Sequence, residues 1–287
     1  MKIMNSLTLS AVMLAASSTQ IQAASFTDGF YLKANTSYID KQDNKGSTDE
    51  KLETTKSGIE VGTDYFDIGF QRTQYKLHED NWFAKTKSSY NARKVYADAK
   101  YFGEIDSTWN YFVSAGIGSN YADGGLKFNK NYHYSFAAFA SRVINSDWSV
   151  DLGVAGAINK VGIQPIPVIN FKYGDEKAPG FSFKVGLPYN EVAYRFNDIV
   201  SVKTSLEATD DIYGTDNGYY GHNYIRDRYF SLNASVLAEL NGFYGELGAG
   251  YIFNREFRTY DDKGDKYGDK IKFKNEAGVF LNLGYRY

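Results

Sequence analysis

The sequence predicts an all-β chain: a transmembrane, antiparallel up-and-down β-barrel of about 14 strands, with 12 as the alternative, long loops at one end and short turns at the other. Three observations predict it. Segments in which apolar and polar residues alternate recur from residue 30 to the C-terminus. Mean hydropathy is −0.45, yet no apolar run after residue 23 approaches the length of a spanning helix. The last stretch, Val279 to Tyr287, carries an apolar face up to its final aromatic residue. A membrane chain this hydrophilic requires every second residue to face water, which only a barrel allows.

The strands follow in order. Phe30, Leu32, Ala34 and Tyr38 alternate with Tyr31, Lys33, Asn35 and Ser37, and Ile59, Val61 and Tyr65 with Gly58, Glu60, Gly62 and Asp64. Trp109 to Ile117, Trp148 to Val154, Val200 to Leu206 and Phe230 to Ala238 repeat the pattern, each with one apolar and one polar or small face. Tight links fall at 64–67, 104–108, 145–147, 197–198 and 241–242, where Asn-Asp and Asn-Gly suit hairpins because they tolerate positive φ. Longer polar stretches lie between them near 40–55, 77–92, 120–131, 209–227 and 254–273. Pro165, Pro167, Pro179 and Pro188 crowd 159–198, and merging of short strands there would lower the count to 12.

In the terminal stretch Val279, Leu281, Leu283, Tyr285 and Tyr287 share one strand face, with Phe280, Asn282, Gly284 and Arg286 on the other. This resembles the C-terminal signature of Gram-negative outer-membrane β-barrels. The resemblance implies insertion by the barrel-assembly machinery and a boundary of outer-membrane lipid and lipopolysaccharide. Residues 1–23 carry Lys2, an apolar run from Leu7 to Ala16 and a polar exit to Ala23, the pattern of a secretory signal peptide cut after Ala23 or Ala24. Residues 24–287 are then the barrel, with periplasmic turns and outer loops. Ile163 to Tyr173, Val185 to Tyr189 and Val192 to Phe196 resemble the middle of an uncharacterised outer-membrane barrel family, which implies fold and location but supplies no activity.

Composition removes whole classes of chemistry. There is no cysteine, hence no thiolate catalysis, disulfide scaffold or cysteine metal site, and the net charge of −2 offers nucleic acid no basic surface. Tyr and Phe number 25 and 20, a richness that suits interfacial girdles, with Trp109 and Trp148 as anchors just after turns. The three histidines, His78, His133 and His222, fall in or beside outer loops without a paired serine, and no G-x-S-x-G turn is present. The chain is therefore read as having no catalytic residues, metal or cofactor. Carboxylates cluster at Asp40/Asp43/Asp49/Glu50, Asp210/Asp211/Asp216 and Asp261/Asp262/Asp265/Asp269. None has the full calcium-loop spacing, and the clusters read as solvated loops.

The candidate functional residues lie on the lumen face. Lys33, Lys100, Lys172, Lys184, Arg195, Lys203 and Arg286 are expected to point inward, with Glu60, Asp98, Asp151, Glu191, Glu207, Glu239 and Glu246. Charges in a barrel interior need water or partners. The expected function is a passive, porin-like channel for small polar solutes or ions, weakly selective because the signs nearly balance. The alternative is a structural or surface-interaction barrel, receptor- or adhesin-like, with an occluded lumen.

Overall fold

The computed structural model describes residues 29–46, 51–78, 89–122, 131–219 and 222–287. The expected signal peptide, its cleavage point, Asp49 and Glu50 lie outside them, as do most of 77–92 and 120–131. The strands are β1 (Tyr31–Asp43), β2 (Lys51–Gly62), β3 (Phe66–His78), β4 (Ser89–Glu104), β5 (Trp109–Ala122), β6 (Tyr132–Val143), β7 (Trp148–Asn159) and β8 (Gly162–Tyr173), followed by β9 (Gly180–Leu187), β10 (Asn190–Arg195), β11 (Val200–Tyr219), β12 (His222–Leu240), β13 (Phe243–Tyr260), β14 (Lys266–Lys272) and β15 (Glu276–Arg286). Successive strands pair antiparallel, and β1 pairs with β15 from Tyr31↔Arg286 to Ile39↔Gly278, closing the wall. β14 and β15 both return along β13 and form one broken stave, so the closed barrel has 14 staves.

The alternation in sequence becomes alternation in space. Leu32, Ile59, Val61, Ile68, Phe70, Val113, Ile117, Leu152, Val154, Val236, Leu247, Val279 and Leu283 are exposed, while the residues between them point inward. An apolar belt of this extent around a closed wall matches a lipid-facing surface. A lysine in this belt, V236K, is expected to cost about 2–4 kcal/mol at bilayer depth, against little for S235T on the inner face. Urea unfolding of the folded barrel in lipid measures both, and equal costs would contradict the face assignment.

The chain's C-terminus and six links of two to six residues lie at one end, here the terminal end. Four of its turns are built by their own polar residues. Asp106 accepts from the backbone N–H groups of Thr108 and Trp109 at 2.7 and 2.9 Å, which holds its carboxyl below the usual range. Asn145 and Asn197 accept in the same way, from Asp147 and Trp148 and from Ile199 and Val200. Asn241 and Gly242 have φ of 51° and 82°, the conformation a two-residue hairpin needs.

The distal end departs from expectation. Of the stretches expected as outer loops, 209–227 is almost wholly strand, and 40–55 and 254–273 are largely strand. β11 runs for 20 residues, about 66 Å of strand, which at a tilt of roughly 40° rises about 50 Å along the barrel axis, or about twice the height of an apolar belt. On that side β7–β8 and β9–β10 are joined by only two residues each, 160–161 and 188–189. The prolines do not merge strands. Pro179 and Pro188 sit in turns, while Pro165 and Pro167 lie in β8 beyond the reach of β9, whose ladder covers only Ile169 to Tyr173.

Because β9 and β10 are short, β11 loses its neighbour beyond Leu206 and crosses the mouth to β5. There it pairs in parallel at Gly214↔Tyr121 and Thr215↔Ala122. The far end of β14 is tied to β1 through Asn44↔Phe273 and the bond from Lys45 N to Lys272 O at 2.8 Å. The distal part of the barrel is thus a smaller ring of nine staves, β1–β5 with β11–β14. Burial records the change: β11 alternates up to Leu206 and is buried at every residue from Asp210 to Gly214, because both faces are now covered.

Candidate functional site: a two-tier lumen

The wide terminal tier contains space. A vestibule of about 950 Å³ opens there, lined by Lys33, Lys100, Arg195, Lys203, Glu239 and Arg286 among others. Beyond it lies a chamber of about 390 Å³, reached past a layer of paired charges and lined by Asn35, Lys56, Tyr96, Glu207, Tyr229 and Asn233 among others. Lys203, Glu246, Lys33 and Asn282 line both cavities. Lys203 lies 2.9 Å from Glu246 and 3.6 Å from Glu191, and Lys33 lies 3.3 Å from Glu60. Glu246 also accepts from Ser235 and Asn282 at 2.7 and 2.9 Å. Lys203 and Lys33 keep 25% and 34% of their side-chain exposure. These are charges with access to water, unlike those farther along.

The narrow distal tier is filled. A ring near eight strands is just wide enough for side chains to fill, and here Leu52, Tyr75, Tyr90, Tyr213, Ile225 and Phe257 do so, each from a different stave. Below them Arg255 and Asp227, both fully buried, form a bidentate pair at 3.0 and 2.8 Å. Arg255 also donates to Gln42 at 2.6 Å, and Tyr75 donates to Asp227 at 3.0 Å. Lys56 reaches Asp211 at 3.0 Å across the lumen, and Arg226 pairs with Asp210. Lys56–Asp211, Tyr75–Asp227 and Arg255–Gln42 span the ring, whereas Arg255–Asp227 and Arg226–Asp210 tie neighbouring strands together.

The other face of the crossing strands packs on the wall they have left. Ala208 and Phe230 lie against an apolar patch of Phe112, Phe139, Ile166 and Val168 on the inner faces of β5, β6 and β8. This explains inward apolar residues in a barrel whose interior is otherwise polar. Farther along, the side chains of His133, Asn159 and Gln164 are buried with a polar atom that has no protein partner.

The sequence-predicted residues can now be placed. Lys100 pairs with Asp67, Lys172 lies 2.7 Å from Asp151, and Arg195 pairs with Glu239 while donating to the carbonyls of Glu176 and Asp198. Asp98 accepts from Ser135 at 2.7 Å over Gly116, where a Cβ would collide with both side chains. Glu191 accepts from Tyr189, Glu207 accepts from Ser205 at 2.8 Å, and Lys184 is buried beside the Tyr189 ring. Arg286 meets Asp64 at 2.6 Å on the terminal rim. All fourteen are thus in the wide tier, but as a mosaic of pairs rather than single-sign rings. Of the terminal signature, Val279, Leu281 and Leu283 face outward, Tyr285 packs at a tilt on Phe243 with ring centroids 4.6 Å apart, and Tyr287 is exposed. Trp148 packs on Tyr173 and Phe183 at the terminal rim, and the Arg142 guanidinium lies over Trp109.

His133 is the second residue of β6, beside the 120–131 loop as expected, buried and opposite Asn159 on β7. Two expectations need correction. Asp210 and Asp211 are not a solvated cluster, since adjacent strand residues point to opposite faces and each is buried with its own cation. The distal tier itself, with Gln42, Lys56, Tyr75, Arg226, Asp227 and Arg255, was missed. Its signal was present in the shared parity of Arg255 and Phe257 and of Ile225, Asp227 and Tyr229, obscured by the charge density expected of loops and by a bulge at Asn254 that puts Phe253 on the other face.

No family model matches the chain, and no curated protein matches it. Solved structures resemble it in fold. The KdgM porin in complex with disordered oligogalacturonate is 9% identical with a TM-score of 0.37, over 89% of this chain and 99% of that one. An outer membrane channel from Pseudomonas putida F1 is 11% identical with a TM-score of 0.45, over 93% and 100%. A deltaS2 mutant of the TodX monoaromatic hydrocarbon channel is 7% identical with a TM-score of 0.45, over 92% and 91%. Likeness at this level assigns neither solute nor partner to the present chain.

Proposed function

We propose that the chain is an outer-membrane channel of porin type, held closed at its outer mouth by the narrow ring, that passes small polar solutes or ions when the ring opens. In this reading the terminal end faces the periplasm, the terminal signature serves insertion by the assembly machinery, and lipid with lipopolysaccharide surrounds the belt. The observation that carries it is the wide tier: a vestibule and chamber lined by partly exposed ion pairs, ending against a plug made of the barrel's own strands. A purely structural wall has no need of a cavity lined with half-exposed charge, which side chains could fill at lower cost. The paired signs favour weak ion preference. No residue is given a catalytic role.

The test is conductance of the refolded chain 24–287 in a planar bilayer, beside a variant lacking the crossing hairpin. Glu207 and Ser231 are register partners, so Ala208–Phe230 can be replaced by Asn-Gly, with R255L to avoid leaving a buried cation unpaired. The intact chain is expected to be silent apart from rare steps, and the shortened barrel to conduct persistently. A shortened barrel that folds and remains silent would discard the channel and favour the surface-interaction barrel.

A further inference from the structure

We propose that Pro165 and Pro167 keep the mouth closed: they strip hydrogen-bond donors from the free edge of β8, where β11 would otherwise bind and widen the distal ring. This deepens the channel reading by naming its gate, and rests on that reading only for its effect on conductance.

The geometry leads there in three steps. Lys160 and Val161 join β7 to β8 as a two-residue turn closed by Asn159↔Gly162. The pair closing such a hairpin is hydrogen-bonded, and bonded and non-bonded pairs alternate after it. Ala157↔Gln164 and Ala155↔Ile166 therefore exchange hydrogen bonds, whereas Gly156↔Pro165 and Val154↔Pro167 do not. The backbone nitrogens of 165 and 167 thus point away from β7, toward the edge that β9 leaves uncovered beyond Ile169↔Leu187.

The strand facing that edge is β11. In the sheet only the short β9–β10 hairpin separates the two, and β8 and β11 run in opposite directions. Beyond Leu206, the pairs β11 makes on that side among the described residues are the two parallel ones with β5, a short seam between strands that otherwise pair antiparallel. If β11 left β5 and zipped to β8, the distal ring would become β1–β8 with β11–β14, twelve staves instead of nine. Barrel diameter grows roughly with strand number, so a filled ring would become one wide enough for water.

Proline is the residue that forbids this ladder, because each one offers a carbonyl and a ring where a donor is needed. It also removes the amide that would otherwise stand unsatisfied at a lipid-facing edge. With threonine at both positions, two amides acquire an uncompensated position that only β11 carbonyls can relieve. The pairs that span the closed ring, such as Lys56–Asp211, weigh equally on both variants, so the prolines set the difference in balance between two ladders rather than the stability of the wall.

Because the chain has no cysteine, the exchange can be read by disulfide formation. Thr215 and Ala122 are register partners on β11 and β5, and T215C/A122C in the full mature chain reports the closed seam. Oxidation is expected to link this pair readily in the proline-containing barrel and at least tenfold more slowly in P165T/P167T, with both folded by heat-modifiable migration. Slow linkage with raised conductance supports the gate within a channel. Slow linkage in a silent bilayer supports the strand exchange and removes the channel reading. Equal linkage rates overturn the proposal whatever the conductance, as does failure of the proline-containing pair to link. If P165T/P167T does not fold, P167T alone is judged by the same criterion. Failure of that variant also overturns the proposal, which requires both barrels to fold and differ only in pairing.

Discussion

Replacing Arg255 by alanine is expected to destabilise the barrel by about 3–5 kcal/mol, because it leaves Asp227 fully buried without its cation. The side chain is the largest fully buried one among the described residues and joins three parts of the distal ring. It donates to Asp227 on β12 and Gln42 on β1, and its guanidinium lies over Tyr229 and Phe257 at 5.1 and 5.2 Å. Its loss removes a charge pair, a hydrogen bond and two ring contacts at once. Replacing both partners, as R255L/D227L, is expected to recover most of the stability, since apolar groups of similar size are often neutral in place of a buried pair. Urea unfolding in lipid measures both variants. A loss for R255A below about 1 kcal/mol, the range of a solvated surface pair, would mean that the distal tier is hydrated rather than packed.

The second large effect is on ion preference. In the shortened barrel, K203E converts the pair with Glu246 and Glu191 into three carboxylates facing the shared wall of vestibule and chamber. A charge about 5 Å from a permeant ion in water is worth roughly 0.8 kcal/mol, so a change of two charges shifts an ion by roughly 1.7 kcal/mol. That is a factor of about 15 in occupancy. At 5 Å and a screening length of about 8 Å in physiological salt, roughly half of this energy survives, a factor of about 4 to 5 in occupancy. The reversal potential under a salt gradient is therefore expected to move strongly toward cations. An unmoved potential would place Lys203 outside the conduction path while leaving the pore itself intact.

Much of the wall was legible because its signals are local. Each strand of the lipid belt is a self-contained period-2 pattern, and Asp106, Asn145, Asn197 and Asn241 mark terminal-end turns through bonds or φ values within four residues. Inward charges such as Lys33, Glu60 and Glu246 followed from the same parity. Their pairing did not: Lys203–Glu246 and Lys56–Asp211 are ladder-distant contacts that depend on how the sheet curves.

The sequence by itself determined that this chain alternates, that it can close as an antiparallel barrel of about 14 staves, and which residues face lipid. Alternation has only two phases, and each residue's parity assigns its side. Only the tertiary structure decided that the barrel narrows. That outcome rests on β9 and β10 ending early, on β11 losing its neighbour at Leu206, and on the seam that β11 then makes with β5. Charged strands such as Ile225-Arg226-Asp227-Arg228-Tyr229 read as solvated loop until a second sheet face covers them. Burial on both faces is a property of what packs against a strand, and the strand's own residues do not encode it.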